Sequence, residues 1–402
     1  MHVSPPPFME PPRPAPLPLS SSALGRARRA TQGFFLLTGI AAGSWASMVP
    51  FAKGRLALDE AQLGIVLLCL GLGAAGAMPV AGHISHRLGN RSVLVAIGLV
   101  VCLVLPLLAV APSMVVLGAA LVVFGAALGV VDVAMNAHAV DVERLHGRPL
   151  MSGFHGLYSV GGLVGSAGMS ALLDRGVPLL ASAIAVAIGL VAIVATQWRA
   201  LLVRPPDATP VQRSMFALPS ATAVLLGLLC LGVFLAEGAM LDWSAVFLRS
   251  VRGFAIANAG LGFAAFSVAM ATGRLLGDRI TAALGPVRVI RLGGVTAATG
   301  LVLACALPWP VTSLIGFVLV GLGASNIVPV LFSAAGRIPD TAPGVAIATV
   351  TALGYAGMLA GPAVIGFVAR LTSLSIALGG IAILLAAVAA SAAIVRRGEV
   401  RR

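Results

Sequence analysis

Twelve apolar stretches, each about as long as a bilayer is thick, set the limits on what this chain can become. They fall at residues 33–51, 61–82, 92–112, 114–140, 151–173, 177–197, 219–241, 254–276, 288–306, 309–334, 343–368 and 373–395. A helix needs about 20 such residues to cross the hydrocarbon layer. Inside that layer every backbone N–H and C=O must be satisfied within the element, so runs of this length and number predict helices and not open sheets. Charged residues make up 10% of the chain and hydrophobic residues 59%, whereas a soluble domain carries about 25% charged residues. A water-soluble fold of 402 residues is thereby excluded. The 48 glycines are spread through the apolar runs, where small residues let helix backbones approach closely.

The longest polar interruption, Trp198 to Ser214, lies near the middle of the chain. The sequence therefore predicts an all-α membrane protein of twelve transmembrane helices in two six-helix halves, 31–198 and 218–395, joined by a cytoplasmic linker at 199–217. Residues 1–30 form a proline-rich tail read as a disordered spacer, and 396–402 a second short tail. Eight of the first 20 residues are proline and no apolar core is present there, so no cleavable signal peptide is expected. The net charge of +13 does not form a patch suited to nucleic acid. With the N-terminus in the cytoplasm, twenty of the 26 Lys and Arg residues fall on the cytoplasmic side; Lys53, Arg55, Arg175, Arg249, Arg252 and Arg370 fall on the other. That bias predicts a multi-pass protein of the cell (inner) membrane with both termini cytoplasmic. The partners expected are the lipid bilayer and a small-molecule solute, with the chain a monomer.

Acids within the spans are the next signal. Asp132 interrupts an otherwise uncharged run, and a carboxylate at a bilayer centre costs roughly 2.5–3.5 kcal/mol on insertion scales. Asn136 follows four residues later, on the same helix face. Together they suit hydrogen bonding to a polar solute and the binding of one proton. Glu237 is the second intramembrane acid, a turn deeper than Asp242 and Trp243. The assignments are proton coupling for Asp132 and Glu237, and substrate binding for Asn136, Asn326, Trp45 and His155. Asn326 precedes Pro329, where a broken backbone exposes carbonyls; Trp45 offers an aromatic face, and core packing explains it equally well. His138 is weighed more heavily as a solvated or hydrogen-bonded group than as a proton relay. The loop holding Asp141, Glu143, Arg144, His146 and Arg148 is read chiefly as a solvated segment that pins topology. Cys69, Cys102, Cys230 and Cys305 read as small buried hydrophobes. No zinc spacing, phosphate loop or Ser-His-Asp arrangement occurs, so no enzyme, metal or cofactor is expected beyond the proton as coupling ion.

The two halves echo each other. The segment Gly82-His-Ile-Ser-His-Arg-Leu-Gly-Asn-Arg91 pairs with Gly273-Arg-Leu-Leu-Gly-Asp-Arg279, and the glycines of 161–168 pair with those of 354–361. The first segment resembles the loop motif of the major facilitator superfamily, with His86 at the usual Asp position. That resemblance implies the major facilitator fold, alternating access, and gating by Arg87, Asp278 and Arg279. Asp132-Val-Ala-Met-Asn136 and Gly321-Leu-Gly-Ala-Ser-Asn-Ile-Val-Pro-Val-Leu-Phe-Ser333 are similar to signatures of the fucose:proton symporter branch. Glu237-Gly-Ala-Met-Leu-Asp-Trp-Ser244 resembles its uncharacterised bacterial inner-membrane relatives. The branch also carries an acid in its first span, which residues 33–51 lack. The expectation is a secondary active transporter of a small polar solute such as a sugar, coupled to protons through Asp132. A proton-coupled efflux antiporter for a drug or metabolite is the alternative, and a non-transporting membrane sensor ranks below it.

Overall fold

The computed structural model describes residues 20–58, 60–203, 219–254, 260–339 and 341–398. In chain order its helices are α1 (Ser21–Arg55), α2 (Glu60–Leu88), α3 (Asn90–Val110), α4 (Met114–His146), α5 (Met151–Asp174), α6 (Leu179–Gln197), α7 (Ala221–Ser250), α8 (Leu261–Leu284), α9 (Pro286–Ala306), α10 (Pro310–Ala324), α11 (Ile327–Ala335), α12 (Pro343–Leu371) and α13 (Leu374–Ala390). No strand occurs among the described residues.

Local chemistry places the ends. Ser20, Ser113, Ser220 and Ser373 each accept a backbone N–H three residues on, capping α1, α4, α7 and α13. Proline occupies the first turn of α9, α10 and α12, where its missing N–H costs nothing. Gly147 ends α4 in the left-handed conformation (φ 65°) and returns its N–H to the last turn.

A helix occupies each of the twelve expected spans, short of one or two described residues at the ends of several, and three differences are larger. Span ten is broken: α10 stops before Ser325 and α11 restarts after Asn326, so two elements carry it. Ser325 Oγ donates to the Leu322 carbonyl, and Asn326 Nδ2 donates to the Gly273 carbonyl on α8; such side-chain bonds compete with the helix ladder. Second, α1 begins at Ser21, so residues 21–30 are helical rather than part of the tail. Residues 1–19 and most of the 199–217 linker lie outside the described residues; at the other end a 3-10 helix spans Ser391–Gly398. Third, eleven helical segments among the described residues are long and apolar enough to cross a membrane, and α8 is not among them. It carries Arg274, Asp278 and Arg279.

The halves are built alike. In the first, α1 packs on α5; in the second, α7 packs on α12. Both contacts are backbone-close. A side chain at Gly165 would meet the Ile40 carbonyl, and one at Gly357 the Leu231 carbonyl, so at these two positions only hydrogen fits. Across the halves, α5 packs on α8 and α2 on α12. The ends of the bundle differ in charge. The end holding residues 21–29, 87–91, 144–148, 279–291 and 396–397 carries twelve of the 20 arginines among the described residues and is the basic end.

Candidate functional site

Three helices meet around Arg274. Sequence sorts it with the cytoplasmic cations of a loop; in the structure it sits one turn inside Asp278 on α8 and is only 6% exposed. Its Nη2 donates to Glu237 Oε1 on α7 at 3.0 Å. Its Nη1 donates to Ser159 Oγ on α5 at 3.1 Å, and its Nε to the Ser325 carbonyl at the break in span ten, at 3.4 Å. The guanidinium thus ties α7, α8 and the α10–α11 break of one half to α5 of the other.

Beside it, α4 and α5 hold a second polar string. Asn136 Nδ2 donates to the Asp132 carbonyl (2.9 Å) and to Asp132 Oδ1 (3.3 Å). That fixes the amide, leaving its oxygen to face His155 Nε2 at 3.2 Å. The oxygen only accepts, so the histidine carries its proton on Nε2. The imidazole is held edge-on to Phe35 and tilted against Phe332 of the other half, with ring centroids 5.2 and 5.6 Å away. Asp132 lies close to the midpoint of the 33-residue α4. It is partly exposed, and no cation pairs with it among the described residues.

A separate contact seals the basic end. The first N–H groups of α5 have no cap from their own flanking residue; two acids supply it. Glu143, 2% exposed, accepts from the N–H groups of Leu150 (2.9 Å) and Met151 (3.0 Å) through Oε2. Its Oε1 accepts from Arg337 Nη2 of the other half at 2.8 Å. Asp278, also from the other half, accepts from the Gly153 N–H at 3.1 Å. Negative charge at a helix N-terminus is favoured by the helix dipole. For Asp278 burial is nevertheless the larger effect and pushes its carboxyl up to about 6, against the pull of the Gly153 N–H.

The structure therefore brings Asp132, Asn136 and His155 together, and puts Glu237 in an ion pair. Asn326, 6% exposed, spends its amide N–H groups on Gly273 and Ser325, while its oxygen has no partner. Trp45 is buried in the apolar core and bonds to none of these groups. Asp278 joins the two halves, but Arg87 and Arg279 are exposed at their helix ends and make no such contact. His138 accepts the Leu202 N–H at 2.9 Å through Nε2 and so donates from Nδ1 to Thr31, 3.0 Å away; it pins the start of the linker. Arg274, Glu143 and Arg337 are site residues that sequence reasoning does not pick out. A signal for Arg274 is present: Gly273 to Leu276 is apolar except for it, as the run around Asp132 is except for that acid.

The model of the Major Facilitator Superfamily matches residues 33–259. The chain is 46% identical to an uncharacterised MFS-type transporter of Yersinia pestis, over 90% of this chain and 94% of the relative. Two crystal structures of FucP are similar in fold. One, a single-residue variant of the E. coli fucose:proton symporter FucP, gives a TM-score of 0.71 at 18% identity, covering 91% of this chain and 97% of its own. FucP in an outward conformation gives 0.75 at 16% identity, covering 94% and 99%.

Proposed function

The chain belongs to the major facilitator superfamily and is a transporter rather than an enzyme; on that premise we propose that it moves a small polar solute by alternating access, with one proton carried on Asp132. The observation that carries this reading is the charge count of the central cluster. Arg274 neutralises Glu237 at 3.0 Å, and Asp132 is left as the acid without a cation. A carboxylate at membrane depth without a cation is costly, and a proton on Asp132 leaves the whole cluster neutral and able to change its surroundings. Asn136 links Asp132 to His155, and on this reading it reports the protonation of Asp132 to α5.

The positive-inside bias puts the basic end in the cytoplasm, with the chain multi-pass in the inner membrane and both termini inside. The Glu143–Arg337 and Asp278–Gly153 contacts then close the cytoplasmic side, and on this reading solute enters from the opposite side. Opening inward means releasing α5 from α8. Asn136 and His155 from one half and Asn326 from the other are buried where the halves meet, and on this reading rocking of the halves turns them towards solute, as expected for a site at the interface of parallel repeats.

The test is Asp132→Asn. Sugars, polyols and small acids are screened by thermal shift, and uptake of any hit is measured in proteoliposomes. The variant is expected to keep counterflow of the solute and lose accumulation driven by a pH gradient. Accumulation equal to that of the unsubstituted protein would remove Asp132 from the coupling step.

A further inference from the structure

The chain contains two tyrosines, Tyr158 and Tyr355, and both come to the central cluster from opposite halves. Tyr158 on α5 precedes Ser159, the residue that takes the Arg274 hydrogen bond. Tyr355 on α12 stacks edge-to-face on Phe234, with ring centroids 5.9 Å apart, and Phe234 lies one turn before Glu237 on α7. Each ring is packed against the core along one side yet partly exposed. Neither hydroxyl has a hydrogen-bond partner among the described residues, and neither is among the sealed, unsatisfied polar atoms. Tyrosine rings packed against a core normally give their hydroxyl a partner. Two that have none among the described residues, stay accessible and stand beside one cluster from two halves have the form of a binding clamp.

We infer that Tyr158 and Tyr355 are the paired solute contacts of this transporter, one per half, and that the solute they grip is uncharged and rich in oxygen. The inference rests on the transport reading above and adds to it the residues and the charge class. Each phenol offers an O–H donor and an apolar ring edge, and Asp132 and Glu237 offer acceptors. A solute with several hydroxyls satisfies both kinds of group at once. An anion would meet two carboxylates against one guanidinium that Glu237 already neutralises. The clamp also explains why alternation needs cargo. Parting α5 from α8 takes Ser159 away from Arg274, and a solute oxygen held by Tyr158 can stand in for the lost acceptor. A charged donor left without an acceptor is unfavourable, so an empty carrier meets a barrier at this step that a loaded one does not.

The experiment uses single cysteines at 158 and 355 in the full chain with its four native cysteines replaced. Purified protein in proteoliposomes is treated with membrane-impermeant methanethiosulfonate reagents, one cationic and one anionic, each normalised to its rate with a small free thiol. Both positions are expected to react from the side opposite the basic end, with the cationic reagent about tenfold faster at a pH that ionises Asp132, because the field is then negative. An unreactive position, or a faster anionic reagent, overturns the inference. Tyr158→Phe and Tyr355→Phe keep the rings and serve as the second arm. A thermal-shift series on one ring, glucose against glucuronate and glucosamine, extended to neutral pentoses and polyols, is expected to give its hit among the neutral members. That hit should weaken about tenfold in each Phe variant, the value of one hydrogen bond. Hits confined to charged members, no neutral hit, or Phe variants that bind as before refute it. Neither arm depends on proton coupling, so failure here is separable from failure of the Asp132→Asn test.

Discussion

Removing Arg274 tests the structure where its energetics are most lopsided. At an effective dielectric of about 20, opposite charges 3.0 Å apart attract by roughly 5–6 kcal/mol. Desolvation of both groups offsets much of that, so the pair as a whole adds little net stability. Deleting one partner is a different matter. Arg274→Met leaves Glu237 as a buried carboxylate without a cation and strips Ser159 Oγ and the Ser325 carbonyl of their donor. The expected cost is about 3–5 kcal/mol. Glu237→Gln strands the cation instead and is milder, because the amide oxygen still accepts from Nη2. The double variant removes both charges and should be less destabilised than the sum of the singles by about 1–3 kcal/mol. Reversible unfolding in mixed detergent micelles, run as a double-mutant cycle, reads all four corners. If Arg274→Met unfolds at the unsubstituted midpoint, or the singles add within about 0.5 kcal/mol, the pair is not the buried, desolvated contact described here.

The contacts at the basic end predict opposite effects for their two acids. Glu143→Gln or Arg337→Ala weakens a charged bond worth about 1.5–3 kcal/mol, so the population open at the basic end should rise. Spin-label distances between residues flanking α5 and α8 would show it, and an unchanged distribution would argue against a seal there. Asp278 differs because burial raises its carboxyl from 3.8 to about 6. An acid whose site raises it holds its proton more tightly in the closed state. Protonation therefore favours closure, the advantage is fully present below about 3.8, and it is lost as pH rises through about 6. Asp278→Asn should flatten that dependence and keep the seal at neutral pH, with the amide oxygen accepting the Gly153 N–H; a seal that opens in this variant at every pH would show that the carboxylate charge itself is required.

The fold is legible in the sequence because its signal is additive: twelve apolar runs, one central polar interruption and a charge bias all count many residues. The site is legible where a residue stands out against its own helix. Asp132 and Glu237 do so, and Asn136 follows from helical spacing. Arg274 is misplaced by sequence because its neighbours, Asp278 and Arg279, belong to the basic end, and one helical turn separates that end from the cluster. Hydropathy has too little resolution to divide them. Glu143 reads as a loop residue for the same reason, since Gly147, which ends α4, lies beyond it and the helix runs on further than its apolar stretch. Tyr158 and Tyr355 are 197 positions apart in a chain with no others, and only the packing of α5 and α12 around the cluster gives them a common address. Arg87 and Arg279 enter through a loop motif; the motif places them at helix ends, but the contacts between halves are made by Asp278 and by Glu143 with Arg337.

The cluster and the seal share one helix, and that decides how they communicate. α5 presents its N-terminus to Asp278 and Glu143, and one to two turns further on presents His155, Tyr158 and Ser159 to the cluster. α8 presents Asp278 at one level and Arg274 a turn deeper. Any motion that parts α5 from α8 breaks Arg274–Ser159 and Asp278–Gly153 together, and neither can open alone while both helices stay straight. A ligand shifts such an equilibrium only by as much as it binds the two states differently. On the proposed reading, solute replacing Ser159 at Arg274 and a proton removing the charge of Asp132 would both act on the α5–α8 contact. The seal at the basic end needs no sensor of its own: it is the far end of the same lever, and its strength sets how much binding energy the cluster must supply before the helices part.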